Sequence, residues 1–103
     1  MSPSKVIRSR VTTLTDLPNI GKSIAQDLVS LGITQPAHLT GMDPYAMYDR
    51  LCRQTEVVHD LCLLDTFISV TRFMDGEPPQ PWWHYTPERR RRLAARSAPR
   101  RQR

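Results

Sequence analysis

Apolar residues recur at helical spacing on both sides of a short turn near the start of the chain. Leu14 and Leu17 lie three positions apart before the turn, and an apolar stripe that includes Ile24 and Leu28 follows it. Proline and glycine residues interrupt the pattern between these two groups. The spacing therefore predicts two helical pieces joined by a tight hairpin at Pro18–Gly21.

The remaining apolar clusters predict further short helices with recognisable start and stop signals. Asp43 followed by Pro44 is typical of a helix start, and Asp60 is predicted to cap another helix. The helices predicted after the hairpin cover about residues 22–31 (ending at Gly32), 36–39, 44–53 and 60–76, with a basic last helix starting at Thr86-Pro87-Glu88. No stretch alternates over several residues as a strand would. We expect an all-α protein, a compact bundle of about five short helices.

Charge is distributed unevenly along the 103 residues, which carry a formal net charge of +5. Residues 89–103 contain eight arginines and no acid, whereas residues 11–88 contain four basic and ten acidic residues. We therefore expect a flexible N-terminal lead-in (1–12), a folded domain (13–96) that is acidic up to residue 88, and a basic disordered tail (97–103). Phosphate affinity comes mainly from Lys and Arg, so the basic ends would supply most of the attraction to a nucleic acid.

Two cysteines without a secretory signal are typical of a reducing compartment, where they remain free thiols. No apolar run reaches the length of a membrane span. These features predict a cytoplasmic protein with no membrane partner.

The hairpin resembles the helix-hairpin-helix motif, a small unit found in many proteins that bind DNA without sequence preference. Pro18, Ile20, Gly21 and Ala25 match the motif, whereas Asn19 stands where a glycine is usual. Gly21 can adopt backbone conformations closed to other residues, and Asn19 tolerates the left-handed region. The helix that follows presents free N–H groups and a positive dipole end, which together favour a phosphate.

A wider resemblance links most of the chain to one family of small, mostly bacterial helix-hairpin-helix proteins. They are labelled "pathogenicity locus" or "mitomycin resistance" proteins. The motifs that carry the resemblance, over about residues 13–92, are Leu17-Pro18-Asn19-Ile20-Gly21, Leu31-Gly32-Ile33, Asp43-Pro44 with Tyr48 and Leu51-Cys52, His59-Asp60-x-Cys62-x-x-Asp65, and Pro81-Trp82-Trp83-x-Tyr85-Thr86-Pro87. The resemblance implies the helical fold and an association with DNA, but it implies no particular activity.

Cys52, His59 and Cys62 form the clearest candidate for a metal site, and Asp65 or His84 could add a fourth ligand. A structural zinc site needs four ligands, usually with closely paired cysteines, and this spacing does not supply them. The alternative is local structure, in which His59 and its neighbour cap a helix and Cys62 is a small buried residue. We favour the alternative and expect no metal and no cofactor.

Cys62 is also the candidate for thiol chemistry, because a position in the first turn of a helix can lower a thiol pKa. A thiol-dependent resistance or redox role would require an exposed Cys62, and we favour a buried, inert thiol. No catalytic triad spacing, phosphate-binding loop or dense pair of acids is present in the sequence. We therefore expect no catalytic residues and no enzymatic activity.

Trp82 and Trp83 precede the arginine run and have two interpretations. Aromatic residues interleaved with arginine can stack on unpaired bases. In the other interpretation, which we favour, one tryptophan anchors the proline-rich segment Glu77–Pro81 to the helical core. The second tryptophan, if exposed, would be a candidate for binding a partner protein.

The sequence favours a non-enzymatic module that binds nucleic acid, most simply DNA, without sequence preference. The predicted contact residues are Pro18, Asn19, Ile20, Gly21, Lys22 and Ser23 in the hairpin, with Arg89, Arg90, Arg91 and Arg92 adding long-range attraction. The alternative is a protein-interaction adaptor in which the hairpin is structural and an exposed Trp83 contacts the partner. Because a second hairpin of this type is absent from the sequence, a homodimer is a further candidate assembly.

Overall fold

The computed structural model describes residues 2–97, including the side chains of residues 2–96. Its α-helices are α1 (Lys22–Ser30), α2 (Pro44–Thr55), α3 (Leu61–Met74) and α4 (Thr86–Ser97). Single 3-10 turns occur at Pro3–Lys5, Arg8–Arg10, Leu14–Asp16, Pro36–Leu39 and Trp82–Tyr85, and residues 2–97 contain no strand. The predicted all-α class is confirmed. The predicted tail largely coincides with residues 98–103, which lie outside the described residues.

Helix α3 is the central element of the fold. It is buried along most of its length from Leu64 to Phe73, and the side chain of Phe67 is completely inaccessible to solvent. Helix α2, the turn at Trp82–Tyr85 and helix α4 all pack against it. Buried positions on α3 include both apolar and polar side chains, so other elements must enclose the helix on most sides, and this explains why the shorter elements pack around it.

Short polar side chains cap the helices as the sequence predicts. The Asp43 carboxylate accepts a hydrogen bond from the Tyr45 N–H at 2.9 Å, and the Asp60 carboxylate accepts one from the Cys62 N–H at 2.8 Å. The helical piece before the hairpin is only a 3-10 turn, and Thr13 and Asp16 form a capping box around it. Hydrogen bonds from the backbone and side chains of Thr13 and Thr12 lower the pKa of Asp16 to about 2.

Residues 2–12, which the sequence predicts as a flexible lead-in, pack against the helical body. The Arg8 guanidinium donates to the backbone oxygens of Phe73 and Glu77, and it lies 4.0 Å from the centroid of the Phe73 ring. Val6 and Val11 pack against the core. The contacts join residues more than sixty positions apart in the chain, which sequence patterns do not reveal.

Helix α2 ends at a left-handed residue that is not a glycine. Glu56 has φ +56°, a conformation that costs an L-amino acid with a side chain about 1 kcal/mol. We expect Glu56→Gly to raise the free energy of unfolding by about 0.5–1 kcal/mol in urea denaturation. Arg53→Gly, an exposed substitution within the same helix, should lower it by about 1 kcal/mol. Destabilisation by both substitutions would contradict this account of the helix end.

Candidate nucleic-acid interface

The hairpin at Pro18–Gly21 takes its shape from Asn19. Asn19 has φ +69°, in the left-handed region, whereas Gly21 has φ −94° and ψ −175°, an extended conformation open to any residue. Of the two residues to which the sequence assigns such conformational freedom, Asn19 uses it and Gly21 does not. Asparagine can do so because its short polar side chain offsets part of the steric cost.

The Asn19 side chain also ties the hairpin to the rest of the fold. Its amide nitrogen donates to the Ser69 hydroxyl at 3.0 Å and to the Gln80 backbone oxygen at 2.9 Å. The hairpin is thus fixed to helix α3 and to the proline-rich segment that precedes α4. Since this amide nitrogen already donates to two acceptors within the protein, Asn19 is a positioning residue and does not present its side chain to a phosphate.

Two other predicted contact residues are also buried and do not face solvent. Pro18 and Ile20 are buried, and the Ile20 N–H donates to the Leu17 backbone oxygen at 3.4 Å to close the turn. Their contribution is to pack the hairpin against the core, which leaves the next three residues to face solvent.

The first turn of α1 presents its backbone N–H groups without a side-chain cap. Gly21 occupies the N-cap position, and no side chain among residues 2–96 bonds to this helix end. Gly21, Lys22 and Ser23 are all exposed, and a Cβ added at Gly21 would meet no atom within 4 Å. An uncapped helix start with open space in front of it and a lysine in its first turn can accept an anion.

Arg89 lies inside the fold, in contrast to its predicted place on a nucleic-acid surface. It is 9% exposed, and its Nε and Nη2 atoms donate to the fully buried Asp65 carboxylate at 2.8 and 3.2 Å. The Thr86 hydroxyl donates to the same carboxylate at 2.7 Å. The hydrogen bond with Asp65 raises the pKa of Arg89. Arg89 therefore joins α4 to α3 and is not available to a phosphate.

The other arginines of α4 differ in how freely they can bind a ligand. The Arg92 guanidinium lies 4.4 Å from the centroid of the Tyr45 ring, and Arg96 pairs with Asp49 at 2.8 Å. Arg90 and Arg91 are exposed, and within residues 2–96 neither makes an ion pair. Arg92 is exposed as well, but its guanidinium lies over the Tyr45 ring, so Arg90 and Arg91 are the two predicted cations of α4 that make neither an ion pair nor a ring contact among the described residues.

The hairpin and helix α4 are attached to the same side of α3. Asn19 bonds to Ser69 and Arg89 bonds to Asp65, and these two α3 residues are four positions apart. Side chains at this spacing lie about one turn apart on one face of a helix. The fold therefore brings the start of α4 close to the hairpin, although 65 residues or more separate them in sequence.

Cys62 differs from its predicted state. The side chain is exposed, and a hydrogen bond with the Asp60 carboxylate raises the pKa of the thiol, which opposes the lowering that a helix start would give. Cys52 is half-buried and also free. In the part of the chain that the structure describes, no three His, Cys, Asp or Glu side chains are grouped to hold a metal ion.

The two tryptophans differ in their exposure to solvent. Trp82 is half-buried, whereas Trp83 is 59% exposed, and their rings meet edge to face at 5.4 Å between centroids. Trp82 faces the hairpin side of the molecule, where it lines a shallow groove with Asn19 and Ile24. Trp83 is left as a large apolar surface side chain.

Arg10 is a residue near the hairpin that the sequence analysis did not select. It lines a groove beside Gly21 because the lead-in packs against the hairpin. No local pattern around Arg10 signals this position, since it depends on contacts between distant segments.

None of the helices within residues 2–97 combines the length and the hydrophobicity that a membrane span requires.

A family model described as "Cdd1: Pathogenicity locus" matches residues 7–91. The chain is 46% identical over 81 residues to "Mitomycin resistance protein McrB" of Streptomyces lavendulae, an alignment covering 79% of this chain and 77% of that protein. No solved structure matches the chain. On the family match and this relative, the chain belongs to the pathogenicity-locus (Cdd1) family.

Proposed function

We propose that this protein is a cytoplasmic, non-enzymatic module that binds nucleic acid, most simply DNA, through a helix-hairpin-helix unit without sequence preference. The observation that carries the proposal is the uncapped start of α1, where Gly21 leaves open space in front of the N–H groups. A phosphate oxygen can approach such a backbone closely because no side chain stands in the way. Phosphate contacts of this kind position a nucleic acid but do not read its sequence.

Long-range attraction in this proposal comes from a few exposed cations. Lys22 lies in the first turn of α1, and Arg90 and Arg91 extend from α4, whose start is anchored one turn from the hairpin. The body of the protein is acidic, with ten acidic and four basic residues between positions 11 and 88. Binding should therefore be weak and only modestly dependent on salt, because the slope of log affinity against log salt scales with the few phosphates that these cations neutralise.

Fluorescence-anisotropy titrations of labelled DNA at several salt concentrations test the contribution of α4. We expect the double substitution Arg90→Ala/Arg91→Ala to weaken binding and to reduce the slope of log affinity against log salt by about 1–2. The reason is that binding of the variant releases about one counterion fewer for each phosphate contact that has been lost.

Arg50→Ala/Arg53→Ala provides a charge-matched control on α2. It makes the same change in net charge on a different helix, so its effect on the salt slope should be smaller. Equal effects of the two double substitutions would show that only the overall charge matters, and would contradict a defined surface.

Trp83 favours a second candidate function, that of a protein-interaction adaptor. It is 59% exposed, and tryptophan is enriched among residues that dominate protein interfaces. The two candidate functions differ in how strongly binding depends on the positive charges of α4. An adaptor should keep its partner after Arg90→Ala/Arg91→Ala and lose it after Trp83→Ala, as measured by affinity for the partner that the wild-type protein captures. The reverse pattern, with DNA as the ligand, supports the first candidate.

A further inference from the structure

A groove of about 410 Å³ lies between the lead-in and the hairpin. Its apolar walls come from both segments, with Val6, Ile7 and Val11 on one side and Leu17 and Ile20 on the other. The volume is within the range of pockets that hold small organic ligands, about 300–1,000 Å³. The groove is thus large enough for a planar ring system, and it has the apolar surface that such a ring needs.

The outer wall of this groove is held in place. Arg8 fastens the lead-in to α3 through two hydrogen bonds to backbone oxygens and through its contact with the Phe73 ring. Ile7, the neighbouring residue, lines the groove and is 50% exposed. The groove is therefore a feature of the folded chain with an apolar side chain presented at its opening.

Two charged side chains of opposite sign line the groove. Arg10 is exposed and makes no ion pair among the described residues. All four hydrogen bonds that Asp16 accepts from Thr12 and Thr13 go to its Oδ2 atom, so that across residues 2–96 its Oδ1 atom has no donor. A carboxylate disfavours an anion inside the groove, but it can accept an N–H from the edge of a base. A guanidinium stacks on base faces.

Gly21 belongs both to this groove and to the uncapped start of α1. A nucleotide placed here would have its phosphate at the helix start and its base beside Ile7 and Arg10. In an intact duplex the bases are stacked inside the helix and cannot reach such a groove.

We infer that this groove binds an unpaired nucleobase, so that the substrate class is single-stranded or locally unpaired nucleic acid; this rests on the proposed nucleic-acid function. The phosphate at Gly21–Ser23 fixes the position of the strand, and the groove adds the contact that a duplex cannot make. Arg10 is a binding residue in this arrangement, with a role different from that of Lys5 in the same segment, which does not line the groove.

The test compares a short labelled single strand with an abasic strand of the same length, which keeps the phosphates and lacks the bases. Wild-type protein should bind the strand with bases about tenfold more tightly, as expected for one stacked base. Ile7→Ser should remove most of this difference and leave the affinity for the abasic strand unchanged. Val29→Ser is the matched control, since Val29 is 51% exposed on α1 and does not line the groove.

Arg10→Ala and Lys5→Ala form a second matched pair, in which each variant loses one positive charge from the lead-in. Both should weaken binding to the abasic strand by similar factors, but only Arg10→Ala should also reduce the preference for bases. Thermal unfolding of each variant shows whether the fold is kept.

The outcomes separate the inference from the proposed function. If the two strands bind equally, or if the preference for bases survives Ile7→Ser and Arg10→Ala, the groove does not hold a base, although nucleic-acid binding stands. If neither strand nor a duplex binds at low salt, the proposed function itself fails, and the inference fails with it.

Discussion

Replacement of Arg89 by alanine is expected to lower the free energy of unfolding by about 3–5 kcal/mol. The substitution would leave the Asp65 carboxylate, which is fully buried, without its charged partner. Only the Thr86 hydroxyl would still donate to it. A domain of this size has a total free energy of unfolding of about 5–15 kcal/mol, so the substitution would remove a large part of the stability that keeps it folded. Urea denaturation followed by circular dichroism measures the change.

Arg90→Ala, one position along the same helix, is the matched control and should change the stability by less than about 0.5 kcal/mol. In a double-mutant cycle, Asp65→Ala/Arg89→Ala should cost much less than the sum of the two single substitutions. If the two costs simply added, or if Arg89→Ala were as mild as Arg90→Ala, the buried ion pair would not hold α4 to α3.

Asn19→Ala is expected to cost about 2–4 kcal/mol of unfolding free energy. About 1 kcal/mol or more comes from forcing alanine into the left-handed conformation, and the rest comes from two lost hydrogen bonds, each worth about 0.5–1.5 kcal/mol. Those hydrogen bonds, to the Ser69 hydroxyl and the Gln80 backbone oxygen, fix the hairpin to the rest of the fold. The measurement is again equilibrium denaturation in urea.

Asn19→Gly separates the two contributions. Glycine adopts φ +69° without steric cost but makes no side-chain hydrogen bond, so this variant should be more stable than Asn19→Ala by about 1 kcal/mol. Equal stabilities of the alanine and glycine variants would mean that the left-handed conformation is not maintained in the folded protein.

Features that depend on neighbouring residues could be predicted from the sequence. Asp43 with Pro44, Asp60, and Thr13 with Asp16 mark element starts because capping is a contact between residues two or three positions apart. Gly32 ends α1 in the left-handed conformation for the same local reason. The helical class and most element boundaries follow from such signals together with the apolar spacing.

Features that depend on contacts between distant segments could not be predicted. Arg89 stands in a run of four arginines, and only its position on α4, facing the carboxylate of Asp65, distinguishes it from Arg90 and Arg91. The use of the Asn19 amide depends on Ser69 and Gln80, which are 50 and 61 positions away. Local apolar patterns likewise gave no sign that Cys62 would be exposed or that the lead-in would pack against α3.

The most direct test of the proposed function is the affinity of Gly21→Asp for single-stranded DNA, measured by anisotropy at low and moderate salt. Aspartate at this N-cap can accept hydrogen bonds from the first-turn N–H groups, and Gly21 has an extended backbone that suits it. The variant should therefore unfold at equal or slightly higher denaturant concentration than the wild type. Its side chain would occupy the donors that a phosphate needs, and its charge would repel the phosphate.

Gly21→Ser is the uncharged control, which also caps the helix and should weaken binding less than Gly21→Asp does. If a phosphate binds at the start of α1, Gly21→Asp should fold normally and lose at least about tenfold in affinity, as expected when helix-terminal N–H groups no longer bind a charged ligand. Wild-type affinity in a normally folded Gly21→Asp variant would show that DNA does not bind at the start of α1, and would overturn the proposed function.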